Sequence, residues 1–323
     1  MKLLVTCGHL VRHIGEYHTL LKKNGIEYKC LNPTNQQFSD QEMLQILPNN
    51  DFIIAGDDEI SEKVIEKSFF YGLKAIIKWG IGVDNIDKMA AKKYGIPVFN
   101  TPDVFGSEVA EQALSFILNL SRATHIIDTQ VRKGNWYKYE GNSLIGKNIG
   151  IIGFGSIGKA IAKRCLAFEM NVSFYDPFLN QNNAEENLFQ NIEFDKLCET
   201  SDFIVLACSL NKDNKFIINH KSISKMIKKP YIINVSRGHL IKEDDLISAL
   251  KEKRIKGAGL DVFNIEPLPI NSEFINFKEC ILGSHNSSNT LEAVKRVNKM
   301  TIDMVIKISE SDVSKVYKER RII

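Results

Sequence analysis

The stretch 148–176, NIGIIGFGSIGKAIAKRCLAFEMNVSFYD, restricts the fold of this chain more than any other. Ile149, Ile151 and Ile152 form a short apolar run, Gly153, Gly155 and Gly158 supply a G-x-G-x-x-G pattern, and Ala160, Ile161, Ala162, Cys165 and Leu166 follow at helical spacing. Strand, tight turn and helix are predicted, and a second apolar strand at 172–175 ends on Asp176, roughly 20 residues beyond the turn as in a dinucleotide fold.

Gly153 permits the turn out of the strand, Gly155 lets backbone approach a pyrophosphate, and Gly158 lets helix pack on strand. The helix opens at Ser156 and Ile157, where unpaired N–H groups and the positive dipole end meet that anion. Asp176 would accept hydrogen bonds from both hydroxyls of an adenosine ribose and would repel a 2′-phosphate: at ~4 Å two like charges oppose each other by about 4 kcal/mol at an effective dielectric of about 20. NAD rather than NADP is the expected cofactor. Gly153, Gly158 and Lys159 also fit the phosphate loop of ATPases, but the next residue is Ala160, where that loop needs a hydroxyl for magnesium.

A length of 323 residues suggests about two domains, and 44% hydrophobic residues suffices for ordinary cores. The net charge of +3, without a clustered basic stripe, argues against a nucleic-acid partner. The apolar run after Lys2 is too short for a signal peptide and no stretch reaches the ~18 apolar residues of a span, so a soluble cytoplasmic protein with no membrane partner is expected. Cys7, Cys30, Cys165, Cys198, Cys208 and Cys280 have neither C-x-x-C nor zinc spacing, so buried free thiols and no metal are expected.

Residues 1–100 alternate strand signals at 3–7, 27–31, 52–55, 73–79 and 98–99 with helix signals at 17–23, 61–69 and 86–94, the pattern of a parallel α/β domain. At 78–87, Gly80 and Gly82 can expose backbone N–H groups to an anion; the same loop reads equally as a turn whose Asp84 and Asn85 cap the following helix. From 106 to about 133 runs one long helical pattern carrying Val109, Ala113, Phe116, Ile117, Leu120, Ala123 and Ile127, long enough to bridge two domains or be covered by a partner subunit. Beyond Asp176, strands are expected at 203–208, 231–235, 257–262 and 280–283, and helices at 194–199, 220–227 and 243–254. A last helix from about 290, with Leu291, Val294, Val297, Thr301, Met304 and Ile308 on one face, is expected to fold back onto the first domain.

In doubly wound sheets ligands lie beyond the carboxyl ends of the strands. Three such ends carry chemistry: Asn234-Val235-Ser236-Arg237-Gly238, the loop from Gly259 through Asp261 to Glu266-Pro267, and Gly283-Ser284-His285-Asn286. Hydride transfer on a 2-hydroxy acid needs a cation for the carboxylate, a group that exchanges one proton, and a bound nicotinamide. Arg237 can hold a carboxylate bidentately, and Glu266 beside His285 would favour the imidazolium and fix the ring for proton donation. Taken singly, Arg237 reads as a surface ion pair, Glu266 as a loop carboxylate and His285 as a structural histidine; with all three on strand ends of one nucleotide domain, Arg237 and His285 become the candidate catalytic residues. Cys208 and Ser236, each at a strand end, join the glycine turn as candidate cofactor contacts.

At these residues the chain resembles the D-isomer-specific 2-hydroxyacid dehydrogenases. The matching segments are Trp79-Gly80-Ile81-Gly82-Val83-Asp84-Asn85-Ile86-Asp87, Asn100-Thr101-Pro102, Val109-Ala110-Glu111, Gly146-Lys147 before the glycine turn, Tyr175-Asp176-Pro177, Val235-Ser236-Arg237-Gly238, Leu260-Asp261-Val262-Phe263 with Glu266-Pro267, and His285. The resemblance implies a catalytic set of Arg237, Glu266 and His285, Asp261 on the nicotinamide carboxamide, and backbone at Ile81 and Gly82 on the substrate carboxylate. It also implies two Rossmann-like doubly wound parallel-sheet domains, a discontinuous flavodoxin-like substrate domain of 1–100 and 290–323 around an NAD domain of 101–289, and a homodimer.

Phosphoglycerate dehydrogenases are the nearest members by resemblance, and Lys78 stands where they often carry an arginine. The sequence departs from them in the acidic Ala55-Gly56-Asp57-Asp58-Glu59 and in Ser209 and Ser284 where the family has prolines, and the regulatory carboxy-terminal domain of some members is not expected. The expected substrate is a small 2-keto or 2-hydroxy acid, 3-phosphoglycerate first and hydroxypyruvate or glyoxylate second. The alternative is an NAD(H)-sensing binding protein or corepressor on the same fold.

Overall fold

The computed structural model describes residues 1–179, 189–310 and 322, and in it the apolar runs without polar alternation become inner strands of parallel sheets, since both their faces must be covered. Contacts group Met1–Val104 with Asn289–Ile323 as one unit and Phe105–Ser288 as another; residues 311–321 and 323 of the expected carboxy-terminal segment lie outside the described part.

In the first unit, β1 (Lys2–Val5), β2 (Glu27–Cys30), β3 (Phe52–Ala55), β4 (Ala75–Lys78) and β5 (Val98–Phe99) pair in the order β2-β1-β3-β4-β5, all parallel. This is the flavodoxin-like order, whose reversal lies between β1 and β3. The connecting helices are α1 (Gly8–Val11), α2 (His18–Lys23), α3 (Asp40–Ile46), α4 (Glu62–Phe70) and α5 (Lys88–Lys93). Helix α3 was not anticipated; Ser39 accepts from Glu42 N while the Glu42 side chain returns to Ser39 N, a capping box that starts it. Helix α5 is capped by Asp87, which accepts from Ala90 N at 2.9 Å, and not by Asp84 or Asn85.

The second unit begins with α6 (Gly106–Arg122) and α7 (Thr124–Arg132). The single helix expected over this region is broken at Ala123, which adopts left-handed φ 49. Asn142 N donates to Ser121 O at 2.8 Å, so returning chain takes up a carbonyl at the helix end. Helix α6 belongs to this unit.

Next come β6 (Asn148–Ile152), α8 (Ser156–Ala167), β7 (Asn171–Tyr175), β8 (Gln190–Asn191), α9 (Phe194–Thr200), β9 (Phe203–Leu206), α10 (His220–Ser224), β10 (Tyr231–Asn234), α11 (Glu243–Lys251), β11 (Gly257–Leu260) and β12 (Cys280–Leu282). The parallel order β12-β11-β10-β9-β6-β7-β8 is the dinucleotide arrangement, reversing between β6 and β9. The core on one face gathers Leu197, Ile204, Ile223, Ile232, Leu246 and Phe274, all nearly solvent-free.

Helix α12 (Leu291–Glu310) returns to the first unit, where Asn298 Oδ1 accepts from Trp79 Nε1 at 2.8 Å. Val294, Val297, Thr301, Met304 and Ile308 are buried as expected, whereas Leu291 is exposed. Cys7, Cys165, Cys198 and Cys280 are buried thiols and Cys30 and Cys208 are partly exposed ones. Among the described residues no helix is long and apolar enough to cross a membrane.

Candidate active site

The glycine turn sits at the reversal of the second sheet, and each glycine there has a separate steric reason. Gly153 has φ 91, and a Cβ on it would lie 2.6 Å from the Cys208 backbone. A Cβ on Gly158 would stand 2.2 Å from Gly153 O, so only glycine lets α8 start against the turn. Gly155 has nothing within 4 Å of its Cβ position, which leaves open the face that a pyrophosphate requires. It also starts α8 without a side-chain cap, so the first-turn donors at Ser156 and Ile157 meet no capping side chain.

Asp176 lies directly beside this turn. Its Oδ2 accepts from Phe154 N at 2.9 Å and its Oδ1 from Phe178 N at 3.0 Å, which aims a partly exposed carboxylate along the end of β7. On the other side, Ser236 Oγ donates to Cys208 O, tying the end of β10 to the end of β9. Burial pushes the Cys208 thiol up to about 12, so it is held as a thiol, with Asn214 Nδ2 donating to its sulfur at 3.7 Å. An open glycine, an uncapped helix start and an oriented acid together fit a dinucleotide.

The candidate catalytic residues occupy one edge of this sheet. Asn234 pairs with Leu260 across β10 and β11, and Leu260 with Leu282 across β11 and β12, so the carboxyl ends of three adjacent strands stand level. Strand neighbours are ~4.8 Å apart, which makes that edge short. Half-buried Arg237 follows β10, with its carbonyl held by Asn234 Nδ2 at 2.8 Å and its Nη1 donating to Ser236 O at 2.9 Å.

His285 and Glu266 are in direct contact: His285 Nδ1 lies 2.7 Å from Glu266 Oε2, with 27% and 20% of the side chains exposed. The other carboxylate oxygen accepts from Phe263 N at 2.9 Å. Glu266 therefore fixes Nδ1 of His285 and with it the orientation of the ring.

Asp261 is only 1% exposed, and its carboxylate accepts from Asn286 N at 3.1 Å, Ser287 N at 2.8 Å and Ser287 Oγ. Together with His285 N donating to Asp261 O at 2.7 Å, these bonds make Asp261 the anchor of the His285 loop. The resemblance also puts this carboxylate on a carboxamide, and these donors fix its orientation.

Lys78, Ile81 and Gly82 belong to the first unit. Ile81 and Gly82 are partly exposed, in a loop held by Asn100 Nδ2 on Ile81 O and by Thr101 Oγ1 on Gly80 N. Lys78 is buried, and its ammonium donates to Asp57 Oδ1 at 2.6 Å and to Gly56 O at 2.5 Å. The cation that the sequence offered for a phosphate is thus already matched by a carboxylate of its own unit.

Glu243 escaped the sequence reading, and Asn234 entered it only as part of its strand-end segment. Asn234 is buried beneath Arg237, and Glu243, first in α11, accepts from Asn264 N at 2.8 Å in the Glu266 loop. Glu243 had no signal beyond an acid at a helix start, because its partner lies on another loop.

A family profile described as "D-isomer specific 2-hydroxyacid dehydrogenase, NAD binding domain" matches residues 114–287. The hydroxypyruvate reductase of Thermotoga maritima is 33% identical over 86% of this chain and 90% of its own length. The D-3-phosphoglycerate dehydrogenase of Methanocaldococcus jannaschii is 34% identical over 85% of this chain, which spans only 52% of that relative. Among solved structures, D-lactate dehydrogenase from Aquifex aeolicus complexed with NAD and lactic acid aligns at TM-score 0.88 and 25% identity, covering 100% of this chain and 99% of the other.

Proposed function

The chain belongs to the D-isomer-specific 2-hydroxyacid dehydrogenases, and from that membership we propose that it interconverts NAD(H)-dependently a short, unphosphorylated 2-keto acid and its D-2-hydroxy acid. The contact of His285 Nδ1 with Glu266 Oε2 carries the reading, because it prepares one imidazole nitrogen to give or take a proton. NAD supplies the hydride acceptor when bound, and NADH the donor. Gly153, Gly155, Ser156, Ile157, Gly158 and Asp176 would hold it, with Cys208 and Ser236 lining the turn. Arg237 binds the substrate carboxylate with its planar fork, and His285 gives a proton to the carbonyl oxygen during reduction or takes the hydroxyl proton during oxidation. Ile81 and Gly82 are the proposed substrate-binding backbone of the first unit.

The pairing of Lys78 with Asp57 supports placing an unphosphorylated acid ahead of 3-phosphoglycerate. An ammonium shared with a carboxylate offers a phosphate dianion little net attraction, and Asp57, 39% exposed, opposes it. With NADH and a panel of keto acids, glyoxylate and hydroxypyruvate should exceed 3-phosphohydroxypyruvate in kcat/KM by roughly tenfold, the value of one charged hydrogen bond. A preference for the phosphorylated acid would overturn this role of the pair, and no turnover with any keto acid would favour the sensor.

A homodimer is part of the same proposal. Trp136, 85% exposed, stands with Tyr137, Tyr139 and Ile145 on the segment after α7, and such aromatic groups suit a second copy. Light scattering should give twice the 36.6 kDa chain mass; a monomer at micromolar concentration would count against it.

A further inference from the structure

Building on that reading, we propose that Glu243 is a positioning residue for the pair of Glu266 and His285. Consecutive amides of one short loop are each taken by a carboxylate: Phe263 N by Glu266 Oε1 at 2.9 Å and Asn264 N by Glu243 Oε1 at 2.8 Å. Glu266 then reaches His285 Nδ1 at 2.7 Å. The loop has no freedom on its other side, since a Cβ on Gly238 would lie 2.0 Å from the Phe263 carbonyl carbon and 2.5 Å from Asn264 N. Backbone following Arg237 and a carboxylate on α11 therefore clamp the two residues from which Glu266 is aimed.

The clamp is also electrostatic. Glu243 is half-buried, and burial raises its pKa above the usual carboxylate value. Three charged or titratable groups face it: His239 from the turn after β10, Asp244 on its own helix, and Glu266 from the loop. Ionised Glu243 places a second negative charge beside Glu266, the carboxylate that holds His285 Nδ1.

The test uses the full chain, glyoxylate and hydroxypyruvate with NADH, and the NMR titration of the His285 imidazole, assigned by its disappearance in His285→Gln. Glu243→Ala should lower kcat about tenfold with KM for NADH within about twofold. Glu243→Gln keeps an oxygen for Asn264 N and should recover most of that loss. Both variants should move the His285 titration to lower pH, because each removes the charge.

Wild-type turnover and an unmoved titration in both variants would overturn the proposal, as would a Gln variant as impaired as Ala. If the Ala variant does not fold, the titration in the Gln variant decides. A wild type that reduces neither keto acid defeats the functional reading, while the titration still judges Glu243 by itself.

Discussion

Replacing His285 by Gln should lower kcat by about 10²–10⁴-fold, the usual contribution of a positioned acid–base group, while NADH affinity stays within about threefold. Gln can still donate to Glu266, but it has no nitrogen that gains and loses a proton near neutral pH. The backbone beneath it should survive, because the loop is held by main-chain and Asp261 bonds: His285 N on Asp261 O, and Asn286 N and Ser287 N on the Asp261 carboxylate. His285 occupies left-handed backbone at φ 54, where Gln is no more strained than other side chains with a Cβ. Steady-state turnover and fluorescence titration of NADH separate the two quantities. Turnover equal to wild type would remove His285 from the mechanism, and loss of NADH binding would mean that the loop had collapsed.

Asp176→Ala should narrow the preference for NADH over NADPH by roughly 10- to 100-fold. The full repulsion of about 4 kcal/mol would predict more, but the carboxylate is partly exposed and solvent screens it. Part of the change should come from weaker use of NADH, since Ala also abandons Phe154 N and Phe178 N beside the glycine turn. The ratio of kcat/KM for the two cofactors in wild type and variant measures it. A wild type that used both equally would contradict the role of Asp176.

Several features were legible before any coordinates because their causes are local. The glycine turn is one, since the steric demands at Gly153 and Gly158 arise within a few residues of chain or at the next strand. The capping pair Ser39 and Glu42 that starts α3 is equally local, although that helix was not anticipated. By contrast, nothing near Ala123 announces a left-handed residue, because the break is completed by Gly141 and Asn142 returning to the helix end. Asp87, rather than Asp84 or Asn85, caps α5 for a similar reason: Asn85 Nδ2 is drawn to Asp58 O at 2.7 Å across the sheet edge.

The same division runs through the site. Periodicity and spacing alone determined two parallel α/β units, a dinucleotide turn with its acid, and the presence of an arginine, a glutamate and a histidine at strand ends. Only the tertiary structure decided which groups meet. Ala55 beside Lys78 in the pairing of β3 with β4 brings Asp57 to an ammonium that the sequence offered to a phosphate. The adjacency of β11 and β12 places Asp261 under the histidine loop, and α11 brings Glu243 to Asn264. Backbone conformation follows from steric limits over a few neighbouring residues, whereas the partner of a charged side chain depends on strand order and on loops far apart in the chain.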